Sequence, residues 1–463
     1  VSFTAGAVFS GINSYSDAFR AVDITSTRMQ EAIKDWVNLY FCNKATEEED
    51  PCQQIPYTIV RKLTGAVFSE YTANSNDTFA NAVLRALAEK STEAMQAALI
   101  GGESLLKPVP NGNGFFFTVV PRHNVRVFGR DATGKLTDIG TDEKSTHDKH
   151  YYTLLERRTV DERGYLTIRN SLYRSTNASD IGARVSLQSL PRYAQLQDEY
   201  TYPQPVGSVG LISVKTPMVN CIDGSADGVS VYAAAVGLIH SINRNEAQLN
   251  GEFARGESRI IASEDILRRR KKSADGTEIW GDSHEFRSHL FTGLNGDPDE
   301  VGINIFSPTL REQAFLARKQ EYLRNVENVI GLKRGLLSEV EAAERTATEI
   351  TSSAGEYNLT IIDFQRMWER VVREAVRLCG VIGQAHAVSG AHAVDDKNIV
   401  ISWGNGVLYD EAKTNSELLG QVQAGLLQPE RYMGWYHNLP CDTPEERAAI
   451  RRNYMPEKLE EGE

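Results

Sequence analysis

Two stretches of the chain carry an apolar stripe at helical spacing over more turns than a small core can cover. From Ser230 onward, Tyr232, Ala235, Ile239, Ile242, Glu246, Leu249 and Phe253 fall three and four apart and are mostly apolar. That spacing predicts one helix of about thirty residues, roughly 45 Å long. From Thr309 to Ile330 a second stripe follows, with Phe315, Leu316, Tyr322, Leu323, Val326, Val329 and Ile330 on one face. Between them, Arg259 to Trp280 reads as short strands and loops. Thr292 to Asp299 holds two Gly, a Pro and two Asp, a composition that favours an exposed excursion. Two long helices thus bracket a compact insertion.

The rest of the 463 residues must supply further cores, and a chain of this length predicts two to four structural units. Ala21 to Phe41 (Val22, Ile24, Met29, Ile33, Trp36, Val37, Tyr40) and Phe79 to Leu99 read as amphipathic helices. After Gly101-Gly102 the texture turns β-prone, with strands expected at Phe115 to Val120 and Asn124 to Phe128 and a turn at Asp131-Ala132-Thr133-Gly134. Tyr151 to Arg158 and Tyr165 to Tyr173 flank Asp161-Glu162-Arg163-Gly164, which suits a hairpin loop with Gly164 at positive φ. The region up to about Pro217 is therefore expected to be an α+β unit. Beyond the second long helix, Gly331 to Ser353 reads as an irregular connection, Leu359 to Ile382 as a third long helix and Asn398 to Trp403 as a strand. Thr414 to Glu417 and Thr443 to Glu446 match capping boxes, the latter with Pro444 at the first helical position, and Gly425 is placed to stop the helix between them.

Complete reaction motifs are missing. No G-x-x-x-x-G-K-[ST] loop occurs, and Gly112 and Gly114 lack the third glycine and following helix of a dinucleotide fingerprint. His284 and His289 are five apart, so on a helix they point about 140° away from each other and cannot share a zinc. No nucleophile elbow is present. The five cysteines (Cys42, Cys52, Cys221, Cys379, Cys441) contain no C-x-x-C pair. Cys42 and Cys52 could close a loop disulfide, but free thiols are the favoured expectation for a chain made in the cytosol. Val1 to Ile12 lacks a basic leader and is not read as a signal peptide; Val229 to Ile239, the most apolar run, is too short to cross a bilayer. No catalytic group, metal or cofactor is expected.

Net charge is −12, from 50 basic and 62 acidic residues, so the total announces no DNA-gripping surface. Local charge must be weighed instead. Arg268, Arg269, Arg270, Lys271 and Lys272 form the one conspicuous basic block, a solvated loop or a contact for phosphates or an acidic partner. Lys333, Arg334 and Arg345 lie in the connection before the third long helix.

Four segments resemble, in order, the portal proteins of long-tailed phages. They are Gly101-Gly102-Glu103-Ser104-Leu105-Leu106-Lys107-Pro108; His150 to Arg158 with Tyr165 to Tyr173; Gly228-Val229-Ser230-Val231-Tyr232; and Arg345-Thr346-Ala347-Thr348-Glu349-Ile350. Arg158 stands where that family often has histidine. None of these is a mechanistic motif; their ordered co-occurrence along nearly the whole chain carries the resemblance.

The resemblance implies an α+β, multi-domain fold assembling as a ring, usually a dodecamer. Residues 1–225 would form the wing, 226–257 the first stem helix, 258–308 the clip and 309–331 the second stem helix. Residues 332–356 would form the tunnel loop, 357–385 a long wing helix, 386–411 a returning wing strand and 412–463 the crown. It implies a structural, non-enzymatic subunit made in the host bacterial cytoplasm and placed at the portal vertex of the virion capsid. Its partners would be copies of itself, double-stranded DNA in the channel, contacted non-specifically, the terminase large subunit, the head-tail adaptor, and major capsid and scaffold protein, with no membrane. Lys333, Arg334 and Arg345 would then give sparse phosphate contacts in the tunnel, and the block from Arg268 to Lys272 would lie in the clip. Another phage head-completion protein, or a metal-dependent hydrolase built on His284 and His289, are the competing readings.

Overall fold

A computed structural model of the chain describes residues 12–43, 50–256, 259–263, 270–272, 275, 278–280, 291–294, 303–306, 309–339, 347–395, 398–403, 411–437, 439, 441 and 443–455. Its residues fall into two units, Val1–Gly65 with Asn74–Ile399 and Ala66–Ala73 with Val400–Glu463.

The described residues open with α1 (Ile12–Phe19), α2 (Thr27–Phe41), α3 (Ile55–Val67), the short strand β1 (Thr72–Ser75) and α4 (Thr78–Gly101). The helix expected from Ala21 begins six residues later. The Ser26 side chain accepts from the Met29 amide and caps α2 there, while Ile24 donates its amide to Val127 O in an extended segment. Val22 and Ile24 are consequently exposed, and Met29, Ile33, Trp36 and Val37 form the buried face. Helix α3 carries no capping residue that announces it in the sequence. Cys42 closes α2 in a left-handed conformation and is joined to Cys52 by a disulfide, correcting the expectation of free thiols. Their Cα atoms are 6.1 Å apart, within the span such a bridge requires.

Two sheets follow. Strands β2 (Glu103–Pro110) and β3 (Phe115–Pro121) pair antiparallel. The second sheet runs β4 (Val125–Arg130), β5 (Leu136–His147), β6 (His150–Val160), β7 (Leu166–Ser175) and β8 (Ala183–Val185), with β9 (Glu199–Thr201) also on β7. Strand β10 (Ile212–Lys215) then returns to β2. Both expected turns form: Asp131 and Gly134 close one, and in the other Gly164 adopts φ 85° and donates to Asp161 O.

Helix α4 is capped by Asp77, whose carboxylate accepts from the Ala80 amide at 2.8 Å, and ends at Gly102 with φ 84°. A Cβ on Gly102 would meet Gly228 C at 2.3 Å, so the two glycines touch backbone to backbone. Thr216 holds the join: its hydroxyl lies 3.0 Å from Gly102 O and 2.7 Å from Val229 O. Ser230 Oγ donates to Leu99 O at 2.9 Å and Tyr232 OH to Trp36 O at 2.9 Å. The 228–232 segment is therefore a buried anchor, not the start of the long helix. That helix, α5 (Val236–Arg255), has 20 residues and is about 30 Å long, a third shorter than its stripe suggested.

After α5 come the short strands β11 (Arg259–Ser263), β12 (Arg270–Lys272), β13 (Glu278–Trp280), β14 (Phe291–Leu294) and β15 (Ile303–Phe306). Strand β11 lies between β14, parallel, and β15, antiparallel, while β12 pairs with β13. The expected excursion at Thr292 to Asp299 is thus strand over its first residues, 292–294; residues 295–299 lie outside the described ones. Helix α6 (Glu312–Ile330) follows, then α7 (Ala347–Ala385), whose 39 residues begin inside the connection expected to be irregular. Phe364, Trp368, Val371, Val372, Ala375 and Leu378 form its buried stripe. Strand β16 (Ile399–Ser402) pairs with β1.

In the second unit, α8 (Glu411–Gln423) starts three residues before Thr414, so Thr414 lies inside the helix and is not its cap. Gly425 does end the turn, at φ 73°. Helices α9 (Pro429–Tyr436) and α10 (Pro444–Tyr454) follow, and α10 has the full capping box between Thr443 and Glu446. Arg451 pairs with the buried Glu430 across these two helices. Among the described residues no helix is long and apolar enough to cross a membrane.

Candidate functional site

Helices α5 and α6 run antiparallel, since Glu246 meets Lys319 while Glu252, further along α5, meets Arg311 just before α6 begins. Asn245 Nδ2 donates to Phe315 O at 3.1 Å, Lys319 Nζ pairs with Glu246 at 2.8 Å, and Arg311 grips Glu252 through two bonds of 3.0 and 2.8 Å. The Glu252 carboxyl is held below its ordinary value mainly by the hydrogen-bonded Arg311 guanidinium. The disulfide loop joins this brace: the Gln53 amide donates to Asn243 Oδ1 at 3.0 Å, and its side chain accepts from Lys319 at 3.0 Å. Ile239, Ile242, Leu249, Leu323, Val326 and Ile330 are buried. Leu316 and Val329, expected on the inner face, are instead 44% and 48% exposed. In their place Glu327 is fully buried.

Glu327 organises the turn after α6. One carboxylate oxygen accepts from the amides of Leu337 (2.5 Å) and Ser338 (2.9 Å), the other from Gly335 N (3.3 Å) and Ser338 Oγ (2.7 Å). Gly331 ends α6 at φ 75°, with its carbonyl accepting from Thr360 Oγ1 at 3.2 Å. Lys62 Nζ donates to Leu336 O at 2.5 Å. Of the sequence-derived site residues, the structure brings Lys333 and Arg334 together, both exposed on this turn. Arg345, Arg268 and Arg269, like His284 and His289, lie outside the described residues. Arg270, Lys271 and Lys272 form β12, opposite Trp280, Ile279 and Glu278.

The strongest buried electrostatics sit in the sheets. Arg158 Nε bonds Glu156 at 2.6 Å and its Nη1 reaches Val209 O and Gly210 O, while Lys107 Nζ approaches Glu156 at 2.6 Å. Burial alone would raise the Glu156 carboxyl, but Arg158 and Lys107 together hold it down at about 2. Asp227 receives Arg130 at 2.7 Å and Arg122 at 3.3 Å, all three buried or nearly so. Burial, with Arg126 adjacent, takes His123 down to about 4, so it is neutral at pH 7. Burial raises the Cys379 thiol far above its ordinary value, which leaves it unreactive. Sequence reading passed over Glu327, Glu156, Lys107 and Asp227, because each finds its partners only in the folded chain. Among the described residues no cluster of His, Cys, Asp and Glu could hold a metal ion.

No family model and no curated protein matches the chain. A solved structure described as the neck of a native GTA particle computed with C12 symmetry aligns over 92% of this chain and 98% of the matched chain, at 13% identity and a TM-score of 0.45. The functional reading comes from the chain's own residues.

The portal-like segments meet in pairs. Lys107 of the first reaches Glu156 of the second, and Gly102 of the first abuts Gly228 of the third. Arg158, at the position where histidine is common in that family, is committed to Glu156 and two carbonyls, so its part is to bind sheet to loop.

Proposed function

We propose that this chain is the portal subunit of a tailed-phage-type particle: a structural, non-enzymatic protein whose copies form a ring at one capsid vertex through which DNA is packaged, held and ejected. The observation that carries the reading is the antiparallel pair α5 and α6, cross-braced by Asn245, Lys319 and Arg311 and enclosing the small sheets β11 to β15. A ring closes by head-to-tail contacts between different faces of identical subunits, and elongated helix pairs suit that geometry. The ordered resemblance of four separated segments, two pairs of which are in contact, supports the same reading.

On this proposal α5 and α6 are the stem and residues 258–308 the clip, which meets first the terminase large subunit and then the head-tail adaptor. Strands β2 to β10 and residues 357–385 of α7 belong to the wing, and residues 412–463 to the crown. Residues 332–356 form the tunnel loop, with Lys333, Arg334 and Arg345 towards DNA, and the basic block Arg268 to Lys272 lies in the clip. The acidic total fits a channel, because each firm cation–phosphate contact adds affinity through counterion release and slows sliding. Negative-stain microscopy of the purified full chain tests the proposal: rings with a central hole are expected, and monomers or tubes would overturn it.

A further inference from the structure

We infer that Glu327 is a positioning residue that presents Lys333 and Arg334 as one fixed pair of cations to the phosphates of double-stranded DNA. The inference rests on the portal reading, which supplies the DNA, and adds a mechanism to it.

Glu327 has no exposed surface, and the partners of its carboxylate are neutral donors drawn from a stretch of four residues, Gly335 to Ser338. Hydrogen bonds to an ionised acceptor are about twice as strong as neutral ones, and a buried carboxylate without them would carry its full desolvation penalty. The 335–338 stretch is therefore bound to α6 wherever α6 goes. The start of the turn is fixed separately: Leu332 is buried and donates its amide to Glu327 O at 2.8 Å, and Thr360 on α7 holds Gly331 O. Lys62 on α3 fixes Leu336 O. Lys333 and Arg334 lie between these restraints, with Leu336 N bonded to Lys333 O at 3.1 Å, and both side chains are exposed.

Among the described residues neither cation has an acidic partner, whereas Lys319, Arg311, Lys107 and Arg122 are all paired. Two unneutralised cations on a restrained backbone lose little conformational freedom on meeting a polyanion, which is how preorganisation raises affinity. A mobile loop would need more cations for the same hold. Two fixed ones per subunit provide the brief, replaceable contact that a sliding duplex requires.

The test measures binding of a short mixed-sequence DNA duplex to the full-length protein across a potassium chloride series. Lys333→Ala with Arg334→Ala should lower the magnitude of the log K against log salt slope by roughly 0.9 for each phosphate that is no longer neutralised. Glu327→Gln, which puts an amide donor among donors, should lower the slope in the same direction with both cations still present. Added to the double variant it should change affinity no further, because a positioning group has nothing left to position. A merely structural role would lower thermal stability and leave the slope of the folded protein alone. Should Glu327→Gln fail to fold, Ser338→Ala removes one of the four donors and should shift the slope less, in the same direction. If the double variant lowers the slope and both Glu327→Gln and Ser338→Ala leave it at the wild-type value, or if their effects add fully to it, the inference about Glu327 is wrong. If the double variant itself binds DNA as the wild type does, the DNA reading of the turn fails, and this inference with it.

Discussion

The sheet region and the helix pair α5–α6 are braced by opposite means. In the sheets two ion networks centre on buried carboxylates: Glu156 with the buried Arg158 and the partly exposed Lys107, and Asp227 with Arg122 and Arg130. In the helix pair the buried Asn243 and Asn245 are neutral and the buried Glu327 is met by neutral donors of the chain after α6, while Arg311 and Lys319 make partly to largely exposed ion pairs. The helix pair also leaves Phe253, Leu316 and Val329 exposed. A buried ion pair is costly to break and so fixes one arrangement, whereas a surface pair is weak and screened. The sheet region is built to hold a single shape, and the helix pair to tolerate adjustment along its length.

The largest effect is expected from Glu156→Ala, which strands the buried Arg158 and leaves the partly exposed Lys107 without its carboxylate. Removing one member of a buried pair destabilises by about 3–5 kcal/mol, and urea unfolding should show a midpoint shift of that size. The same group predicts the acid limit. Its folded-state pKa of about 2 lies below the ordinary 4.5, so its stabilising contribution is complete above pH 4.5 and is lost as pH falls towards 2. Glu156→Ala should remove this part of the acid dependence, which a pH series of melting curves would detect. A variant as stable as the wild type would end the contrast between the two regions.

Much of the sheet region was legible because its signals are local. Asp131 to Gly134 and Asp161 to Gly164 specify their own turns, and Thr443 reads forward to Glu446, whereas the local cap Ser26 was overlooked and α2 was expected too early. In the larger failures the deciding partner was remote. The stripe from Tyr232 looked helical from its first residue, yet Gly228 to Tyr232 is taken up by Gly102, Leu99 and Trp36, more than a hundred residues away. Glu327 read as one more polar position on α6, since nothing in its neighbourhood announces that the chain returns eight to eleven residues later to bury it. The Cys42–Cys52 bridge was readable as a possibility only, because spacing does not show whether the chain between them turns back. Of the basic candidates, Lys333 and Arg334 could be singled out from charge and position, but the contacts that hold the backbone around them could not.

An intermediate effect should come from the disulfide. A bridge closing a loop this short contributes about 2–3 kcal/mol by restricting the unfolded chain, so Cys42→Ser should lower the melting temperature, as reductant should in the wild type. Because Gln53, beside Cys52, bonds both Asn243 and Lys319, amide exchange should quicken in α5 and α6 before it does in β5 to β7. Uniform quickening would show that the loop does not belong to the helix brace. Asn245→Ala should cost less, about 1–2 kcal/mol for a hydrogen bond removed at a buried position, measured by the same unfolding curves.

The smallest effect is also the most discriminating. Arg311 is exposed, and although its two bonds to Glu252 are well formed, the pair gives up little hydration and is open to salt. Arg311→Ala should leave the unfolding midpoint within error of the wild type at high potassium chloride and lower it slightly at low salt. Glu156→Ala should lose nearly the same stability at both, because Glu156 and Arg158 are buried and little screened. If the two variants responded alike to salt, burial would not be what separates the regions, and the adjustability assigned to the helix pair would lose its physical basis.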